Sequence, residues 1–148
     1  GERQMDILVS ACLLGTPCRY DGASRPCGEL ARLEVLGHRL IPVCPEVMGG
    51  LPTPRDPAER QGDKVISCAG KDVTKAYTKG AETALYFAKL NHVDFAVMKA
   101  KSPSCGKGLI YDGTFTGNKI PGNGVTVELL NANGILVFTE DELDQLPL

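Results

Sequence analysis

Short apolar runs punctuate the chain at four places. Each run is continuous rather than alternating, and the four cover 7–11 (ILVSA), 40–43 (LIPV), 95–98 (FAVM) and 135–138 (ILVF). Continuous runs of this length are typical of strands buried on both faces, as in a parallel sheet. Pro42 lacks the N–H that a central strand would donate, so the second strand is expected to lie at an edge of the sheet or to be irregular at that residue.

Helical patterns alternate with these runs. The clearest covers 74–90, where small and apolar residues recur at steps of three and four and define one face. A leucine pattern predicts a helix over 29–36, ended by Gly37, and a weaker pattern predicts one over 124–133, ended by Gly134. Alternating strands and helices favour right-handed crossovers between parallel strands.

The predicted fold class is therefore α/β, a single-domain Rossmann-like layered fold with a mostly parallel sheet of about four strands flanked by helices. One domain is expected to span residues 1–148, because a chain of this length buries roughly 68–70% of its unfolded surface by itself. Two stretches rich in glycine interrupt the pattern. We expect 49–70, which is also rich in proline and charge, and 111–124 to be long surface loops.

Charge and hydropathy exclude several classes of protein. A net charge of −2 provides no broad basic surface, which argues against nucleic acid as a partner. The apolar runs are far shorter than the ~20 residues that cross a bilayer, so no membrane span is expected. The first residues carry neither the basic nor the apolar segment of a secretory signal, although a cleaved signal would leave no trace.

The chain contains six cysteines, an even number that would suit disulfides in a small secreted protein. The apolar runs predict a hydrophobic core large enough to stabilise the fold without disulfides, however, and nothing in the sequence indicates secretion. We therefore expect a cytoplasmic protein whose cysteines are reduced and bind metal or take part in chemistry. No Cys-x-x-Cys pair occurs, so any cysteine site must be assembled by the fold.

Three cysteines follow three of the predicted strands. Cys12 and Cys44 come directly after the first two runs, and Cys105 lies in the loop after the third. Parallel strands end at the same edge of a sheet, where ligand sites of open α/β folds form, so these thiols are expected to meet there. Three thiolates leave one tetrahedral position open and favour zinc or an iron–sulfur cluster. The alternative is that they are ordinary buried cysteines that pack as small hydrophobes.

Two polar residues flank these cysteines. Glu46 is two residues beyond Cys44, and Ser102 is three residues before Cys105. A carboxylate beside a metal centre can act as a general base for water, and a hydroxyl can relay a proton. Each also has a structural interpretation, since Glu46 could be a solvated loop acid and Ser102 could cap a turn.

Several longer motifs occur in a fixed order along nearly the whole chain. They are 10–15 (SACLLG), 19–22 (RYDG), 44–55 (CPEVMGGLPTPR), 80–81 (GA), 102–106 (SPSCG), 111–115 (YDGTF) and 122–125 (GNGV). This set resembles the thiouracil desulfidase family in its stand-alone form. Several motifs in one order make a chance similarity a poor explanation.

The resemblance implies an enzyme with a 4Fe–4S cluster held by Cys12, Cys44 and Cys105, with one iron left open for the substrate's sulfur. Family members remove sulfur from thiolated pyrimidines, here 2- or 4-thiouracil or thiouridine monophosphate, and release the oxo base and sulfide without net redox change. Carried over by motif, Glu46 activates water and Ser102 relays protons to the ring. The implied partner is a small-molecule thiopyrimidine or thionucleotide.

Other residues are candidates for substrate binding: most belong to the matched motifs, and Lys101 directly precedes one of them. Tyr20 could stack on the base, and an arginine or a lysine could accept an anionic group. Core packing and surface ion pairs are the competing interpretations. The candidates are Arg19, Tyr20, Asp21, Arg55 and Lys101.

Two alternative functions stay open at the level of the sequence. One is a zinc-dependent hydrolase that uses the same three thiolates. The other is a non-catalytic cluster or nucleotide-binding redox module. No ligand role is assigned to Cys18, Cys27 or Cys68, and no pattern in the chain sets the oligomeric state.

Overall fold

Helices and strands alternate along the computed structural model, which describes residues 3–148. The strands, in chain order, are β1 (Asp6–Ser10), β2 (Arg39–Val43), β3 (Ala58–Gln61), β4 (Lys64–Ser67), β5 (Phe95–Met98), β6 (Leu109–Tyr111), β7 (Lys119–Pro121) and β8 (Val137–Thr139). The α-helices are α1 (Gly28–Val35), α2 (Pro45–Met48), α3 (Thr74–Leu90) and α4 (Val125–Ala132). Short 3-10 segments follow β1, over Ala11–Leu14, and β8, over Glu140–Gln145.

The four apolar runs form one parallel sheet in the order β2-β1-β5-β8. Ile7 pairs with Leu40 on one side and with Phe95 on the other. The α/β fold with a four-stranded parallel sheet is therefore confirmed. Strand β2 lies at an edge, and its Pro42 is exposed, so the missing N–H removes no bond from the middle of the sheet.

Both faces of the sheet are covered, which explains why its strands are continuously apolar. In β1, Ile7 and Val9 face a core that includes Leu30 of α1, whereas Leu8 faces the opposite core beneath α3 and α4. All three β1 residues are fully buried. Successive side chains of a strand point to opposite faces, so a strand between two helix layers needs apolar residues at every position.

The predicted helices agree closely with the observed ones. Helix α3 covers the predicted 74–90, and α1 and α4 lie within one residue of their predicted bounds at each end. Gly37 and Gly134 follow α1 and α4 with φ of 98° and 80°. This left-handed conformation is readily adopted by glycine, which makes it a common end to a helix.

The two predicted surface loops are only partly irregular, which corrects the expectation for 49–70 and 111–124. The first contains an antiparallel hairpin of β3 and β4, and the second contains most of a hairpin of β6 and β7. These strands have three or four residues and are partly or fully exposed. Strands of three or four residues are too short to show a recognisable alternation of apolar and polar residues.

Among residues 3–148, no helix is both long enough and apolar enough to span a membrane.

Candidate active site at the carboxyl edge of the sheet

A pocket of about 460 Å³ opens at the edge of the sheet where β1, β2 and β5 end. Cys12 lies in the 3-10 turn directly after β1, Cys44 precedes the first residue of α2, and Cys105 lies in the loop after β5. All three line the pocket. The parallel topology thus brings together three thiols that are 32 and 61 positions apart in the sequence.

The three thiols are free and largely shielded from solvent. Cys12 and Cys105 are buried, and Cys44 is half-buried. Burial raises the pKa of the Cys105 thiol to about 12, against the opposing hydrogen bonds of Ser10 and Ser104. Within residues 3–148, no three Cys, His, Asp or Glu side chains converge on one point as ligands of a single metal ion.

A fourth thiol, that of Cys18, belongs to the same site and had no assigned role from the sequence. Cys18 is buried and lines the pocket, and its carbonyl oxygen accepts a hydrogen bond from the Cys44 thiol at 3.7 Å. The neighbouring Cys18 thiol lowers the pKa of Cys12 and raises that of Cys44. No strand precedes Cys18, so the topological argument could not select it. The available signals were its position six residues after Cys12 and its place next to the 19–22 motif.

Glu46 lies in the first turn of α2 and faces the pocket. The hydroxyl of Tyr77, on α3, donates a hydrogen bond to Glu46 Oε1, and Arg55 Nη2 lies 3.4 Å from Oε2. Burial, followed by the charge of Glu46, raises the pKa of Tyr77 above its ordinary value, so Tyr77 remains a donor. Glu46 is therefore a carboxylate held by protein partners on both oxygens, and not a solvated loop acid.

Two glycines allow α2 to lie directly on α3. A Cβ on Gly80 would stand 1.8 Å from the carbonyl oxygen of Pro45, and one on Gly49 would stand 1.9 Å from that of Ala76. Atoms cannot approach this closely, so any larger residue would push α2 away. Since Cys44 and Glu46 are at the start of α2, this backbone contact positions both side chains at the pocket.

Ser102 organises the loop that carries Cys105. Its Oγ accepts hydrogen bonds from the backbone N–H groups of Ser104 and Cys105, at 3.0 Å each, so the turn-capping interpretation is realised. Ser102 also lines the pocket, and its own hydroxyl proton remains available for donation. Gly124 packs beneath this loop, where a Cβ would stand 2.4 Å from the carbonyl of Ser104.

The predicted substrate-binding residues differ in whether they line the pocket and in how exposed they are. Asp21 does not line the pocket, because its exposed carboxylate accepts from the N–H of Ala23 at 2.9 Å. Tyr20 and Lys101 line the pocket and are exposed. Arg55 lines it too, but its guanidinium is only 4% exposed and also donates to the carbonyl oxygen of Cys18 at 2.9 Å. Arg19 lines it with a buried Nη1 that has no hydrogen-bond partner among residues 3–148.

The two hairpins add pocket residues whose role was not predicted, although Tyr111 and Phe115 belong to the 111–115 motif. Tyr111 and Phe115 line the pocket, and Glu59 of β3 holds their loop. Glu59 is 9% exposed, and its Oε1 accepts from the N–H groups of Gly113 at 2.9 Å and of Phe115 at 3.2 Å. These residues come from segments predicted to be loops, so only the folded arrangement shows their proximity.

Cysteine thiols, a doubly held carboxylate and a serine hydroxyl thus share one pocket at the carboxyl edge of a parallel sheet. These features define an α/β enzyme with a group of free cysteines at its pocket. Residues 7–142 match the model of the 2-thiouracil desulfurase family. The chain belongs to this family, which confirms both the resemblance of its motifs and the expectation of a thiouracil desulfidase.

Two relatives extend the comparison. The solved structure of a [4Fe-4S]-dependent thiouracil desulfidase, TudS, is 50% identical and superimposes with a TM-score of 0.92. The match covers 97% of this chain and 95% of that one. An uncharacterized protein of Bacillus subtilis (strain 168), YbbK, is 43% identical over 95% of this chain and 99% of its own length. Both relatives are matched along almost their full length.

Proposed function

We propose that this protein removes sulfur from thiolated pyrimidines, namely 2- or 4-thiouracil or thiouridine monophosphate, and yields the oxo base and sulfide. The reaction uses a 4Fe–4S cluster bound by Cys12, Cys44 and Cys105. One observation carries the proposal: three thiols from the ends of three parallel strands line a single pocket. The cofactor named for the solved TudS structure supports it.

The donor set fits an iron–sulfur cluster. Cysteine thiolates are the usual ligands of such clusters, and each thiolate binds a different iron. The ligands of a cluster therefore do not need to meet at one point. The three thiols line one pocket without converging as ligands of a single metal ion, which suits a cluster. When bound through three thiolates, the cluster supplies an open iron that can take the sulfur of the substrate as a soft ligand.

Two side chains of the protein, Glu46 and Ser102, transfer the protons of the reaction. Glu46 accepts a proton from the attacking water, and its two oxygens are held for this task by Tyr77 and Arg55. Ser102 passes a proton to the pyrimidine ring from a hydroxyl fixed by two backbone N–H groups. The ring carbon gains the oxygen of water and loses its sulfur as sulfide. No electrons enter or leave, so the exchange is hydrolytic.

Aromatic side chains supply the platform for the base. Tyr20, Tyr111 and Phe115 line the pocket from separate loops. An aromatic ring stacked on a pyrimidine contributes about 1–3 kcal/mol per base, and every base has a suitable face. Lys101, also at the pocket, suits an anionic substituent such as a nucleotide phosphate.

The competing functions have less support from the site. A zinc hydrolase needs its ligands to converge on one ion, and among residues 3–148 no three side chains do so. A redox module has no need for a carboxylate held beside the pocket by a buried tyrosine and a buried arginine. Six free cysteines suit a reducing compartment, which is why we place the enzyme in the cytoplasm.

The proposal is tested by replacing each ligand under anaerobic conditions. Cys12→Ala, Cys44→Ala and Cys105→Ala should each lose the brown colour, the bound iron and sulfide release from thiouracil. Cys68→Ala is the matched control, because Cys68 is exposed and lies outside the pocket, and it should retain all three.

Sulfide should be quantified with thiouracils, thiouridine and thiouridine monophosphates as substrates. The ranking of these substrates identifies the form that the pocket accepts. Full activity in a colourless, chelated preparation, or zinc without iron after strict anaerobic handling, would overturn the proposal.

A further inference from the structure

The carboxylate of Glu140 uses both of its oxygens to hold the chain where it leaves β5. Its Oε1 accepts from the backbone N–H of Ala100 at 2.7 Å, and its Oε2 lies 2.8 Å from Nζ of Lys99. The side chains of Glu140 and Lys99 are only 17% and 22% exposed, so solvent ions screen this pair little. Glu140 has no role in the proposed proton transfers.

The same segment is held from the other side by a hydroxyl of β1. The N–H of Lys99 donates to Oγ of Ser10 at 2.8 Å, and Ser10 is 2% exposed at the end of β1. Glu140 begins the 3-10 segment that follows β8, and β1 and β8 are the two neighbours of β5 in the sheet. The exit of β5 is therefore fixed by side chains from both adjacent strand ends.

The next residue, Lys101, turns the chain with a backbone conformation that lysine rarely adopts. Its φ is 69°, in the left-handed region, and it forms an isolated parallel bridge with Ile110. A residue in this conformation persists only where the surrounding structure fixes it, and such residues cluster at active sites. Lys101 lies between Ala100, which Glu140 holds, and Ser102, whose hydroxyl is the proposed proton relay. Glu140 thus fixes the chain two residues before Ser102.

The part of the loop that carries Cys105 has a separate support. The carbonyl oxygens of Pro103 and Ser104 accept from the first two N–H groups of α4, at 2.8 and 2.9 Å. Helix α4 therefore holds the loop on the side of Cys105, whereas Glu140 holds the chain that leads into Ser102. Loss of the Glu140 contacts should affect Ser102 more than Cys105.

We propose that Glu140 is a positioning residue for Ser102, because it fixes Lys99 and Ala100 and so sets where the Ser102 hydroxyl stands in the pocket. The inference rests on the proposed function, in which Ser102 passes a proton to the pyrimidine ring. Glu140 does not itself line the pocket, so it acts through the backbone and not on the substrate. Lys99 lines the pocket, but its charge is balanced by the same carboxylate, and it belongs to this support.

A displaced Ser102 hydroxyl should slow the proton step and leave the iron in place. Misplacing a reacting group by about 1 Å can cost about a hundredfold in rate. We expect Glu140→Ala to lower kcat about tenfold or more, with the iron content of the unmodified enzyme, because α4 still holds the side of Cys105. A proton transfer that becomes rate-limiting also raises the solvent deuterium isotope effect on kcat, which a loss of fold stability alone would not do.

The test is a double-mutant cycle with Ser102→Ala in the cluster-loaded enzyme. If Glu140 acts through Ser102, Glu140→Ala should add little to the loss already caused by Ser102→Ala, because residues that act as a unit are not additive. Glu140→Gln keeps an oxygen for the N–H of Ala100 and should recover part of kcat, including if Glu140→Ala folds poorly. Asp144→Ala is the matched control, since Asp144 is an exposed acid of the same 3-10 segment.

Hydrogen exchange of the same proteins, followed by mass spectrometry, gives a measurement that does not depend on turnover. Backbone amides of 99–104 should exchange faster in Glu140→Ala than in the unmodified enzyme, because an acceptor that holds this segment is gone. Asp144→Ala should exchange at the unmodified rate.

A Glu140→Ala enzyme that matches Asp144→Ala in kcat and in exchange, or whose loss of kcat adds fully to that of Ser102→Ala, would overturn the inference. Full kcat in Ser102→Ala would remove both the proton relay and this inference, while cluster-dependent sulfide release would stand. If the unmodified protein holds no cluster and releases no sulfide, the proposed function itself fails. If Ser102→Ala loses activity while Glu140→Ala behaves as the control, this inference alone fails.

Discussion

The hydroxyl of Tyr77 links the core of the protein to Glu46 by a hydrogen bond. Tyr77 is 2% exposed, and its ring packs within the core while its oxygen donates to the carboxylate. Arg55 holds the other carboxylate oxygen from the opposite loop. Two fixed partners leave Glu46 a single orientation towards the pocket, which is the condition for efficient proton transfer.

Removing that hydroxyl should impair turnover without unfolding the protein. Tyr77→Phe keeps the buried ring but deletes a hydrogen bond to a charged group, a contribution of about 1.5–3 kcal/mol. We expect kcat to fall about tenfold and the melting temperature to fall by several degrees, while KM and iron content change little. Steady-state kinetics on thiouracil, with iron analysis, measure this effect.

Tyr86→Phe serves as the control for Tyr77→Phe, because Tyr86 is on the same helix and is exposed. An unchanged kcat in Tyr77→Phe together with a lower melting temperature would mean that Tyr77 only stabilises the fold. Rescue of kcat is not expected from any substitution that lacks a donor at this position.

At the scale of a single residue, the sequence identified side chains but not all of their partners. Tyr77 was one of the apolar positions of the helix over 74–90, and nothing in that pattern showed what its hydroxyl would meet. Cys18 was visible as a cysteine, yet its contact with Cys12 and Cys44 depends on how the turn after β1 folds back. Such pairings depend on distances of a few ångströms that residue spacing does not encode.

At the scale of the elements, the contact between α2 and α3 decides where two functional groups stand. Gly49 and Gly80 face the backbone of the opposite helix with no room for a side chain. The pocket wall is therefore built by main-chain packing, and α2, which spans only Pro45–Met48, depends on α3 for its position.

Gly80→Ala should displace α2. The added Cβ would stand 1.8 Å from the carbonyl oxygen of Pro45, and relief requires the helices to separate. Overpacking of this kind costs about 1–3 kcal/mol in the free energy of unfolding. We also expect lower iron content and lower kcat, because Cys44 and Glu46 move with α2. Thermal unfolding and iron analysis check both effects.

Gly28→Ala is the matched substitution for Gly80→Ala. Gly28 begins α1 and is exposed, and a Cβ added to it would meet no atom within 4 Å. Alanine is the better helix former, so this change should leave stability equal or higher by about 0.4–1 kcal/mol. A Gly80→Ala protein as stable and as iron-rich as Gly28→Ala would contradict the role given to the helix contact.

At the scale of the whole molecule, two hairpins outside the main sheet complete the pocket. The β3–β4 hairpin supplies Glu59, and the loop between β6 and β7 supplies Phe115. The carboxylate of Glu59 joins them by accepting two backbone N–H groups from that loop. One buried side chain therefore holds two distant segments over the carboxyl edge of the sheet.

Glu59→Ala should loosen the two hairpin segments that lie over the pocket. The substitution leaves the N–H groups of Gly113 and Phe115 without their acceptor, at a cost of about 1–3 kcal/mol for the buried N–H of Gly113. We expect KM for thiouracil to rise about tenfold, with iron content unchanged because the cysteine loops are elsewhere. Glu82→Ala, which removes an exposed carboxylate from α3, is the control. A Glu59→Ala enzyme with the KM of this control would contradict the proposed cover.

The sequence by itself determined the layered α/β fold, the strands of the parallel sheet and the principal helices. The order of apolar residues along the chain reflects which positions are buried. Because helices cover both faces of the sheet, its strands are continuous apolar runs. It also indicated Cys12, Cys44 and Cys105, because parallel strands must end at one edge.

Only the tertiary structure decided which groups contact one another there. Cys18, Tyr77 and Glu59 joined the site, and Asp21 stayed outside it. These contacts depend on close backbone packing and on hairpins with strands of three or four residues, neither of which leaves a periodic signal.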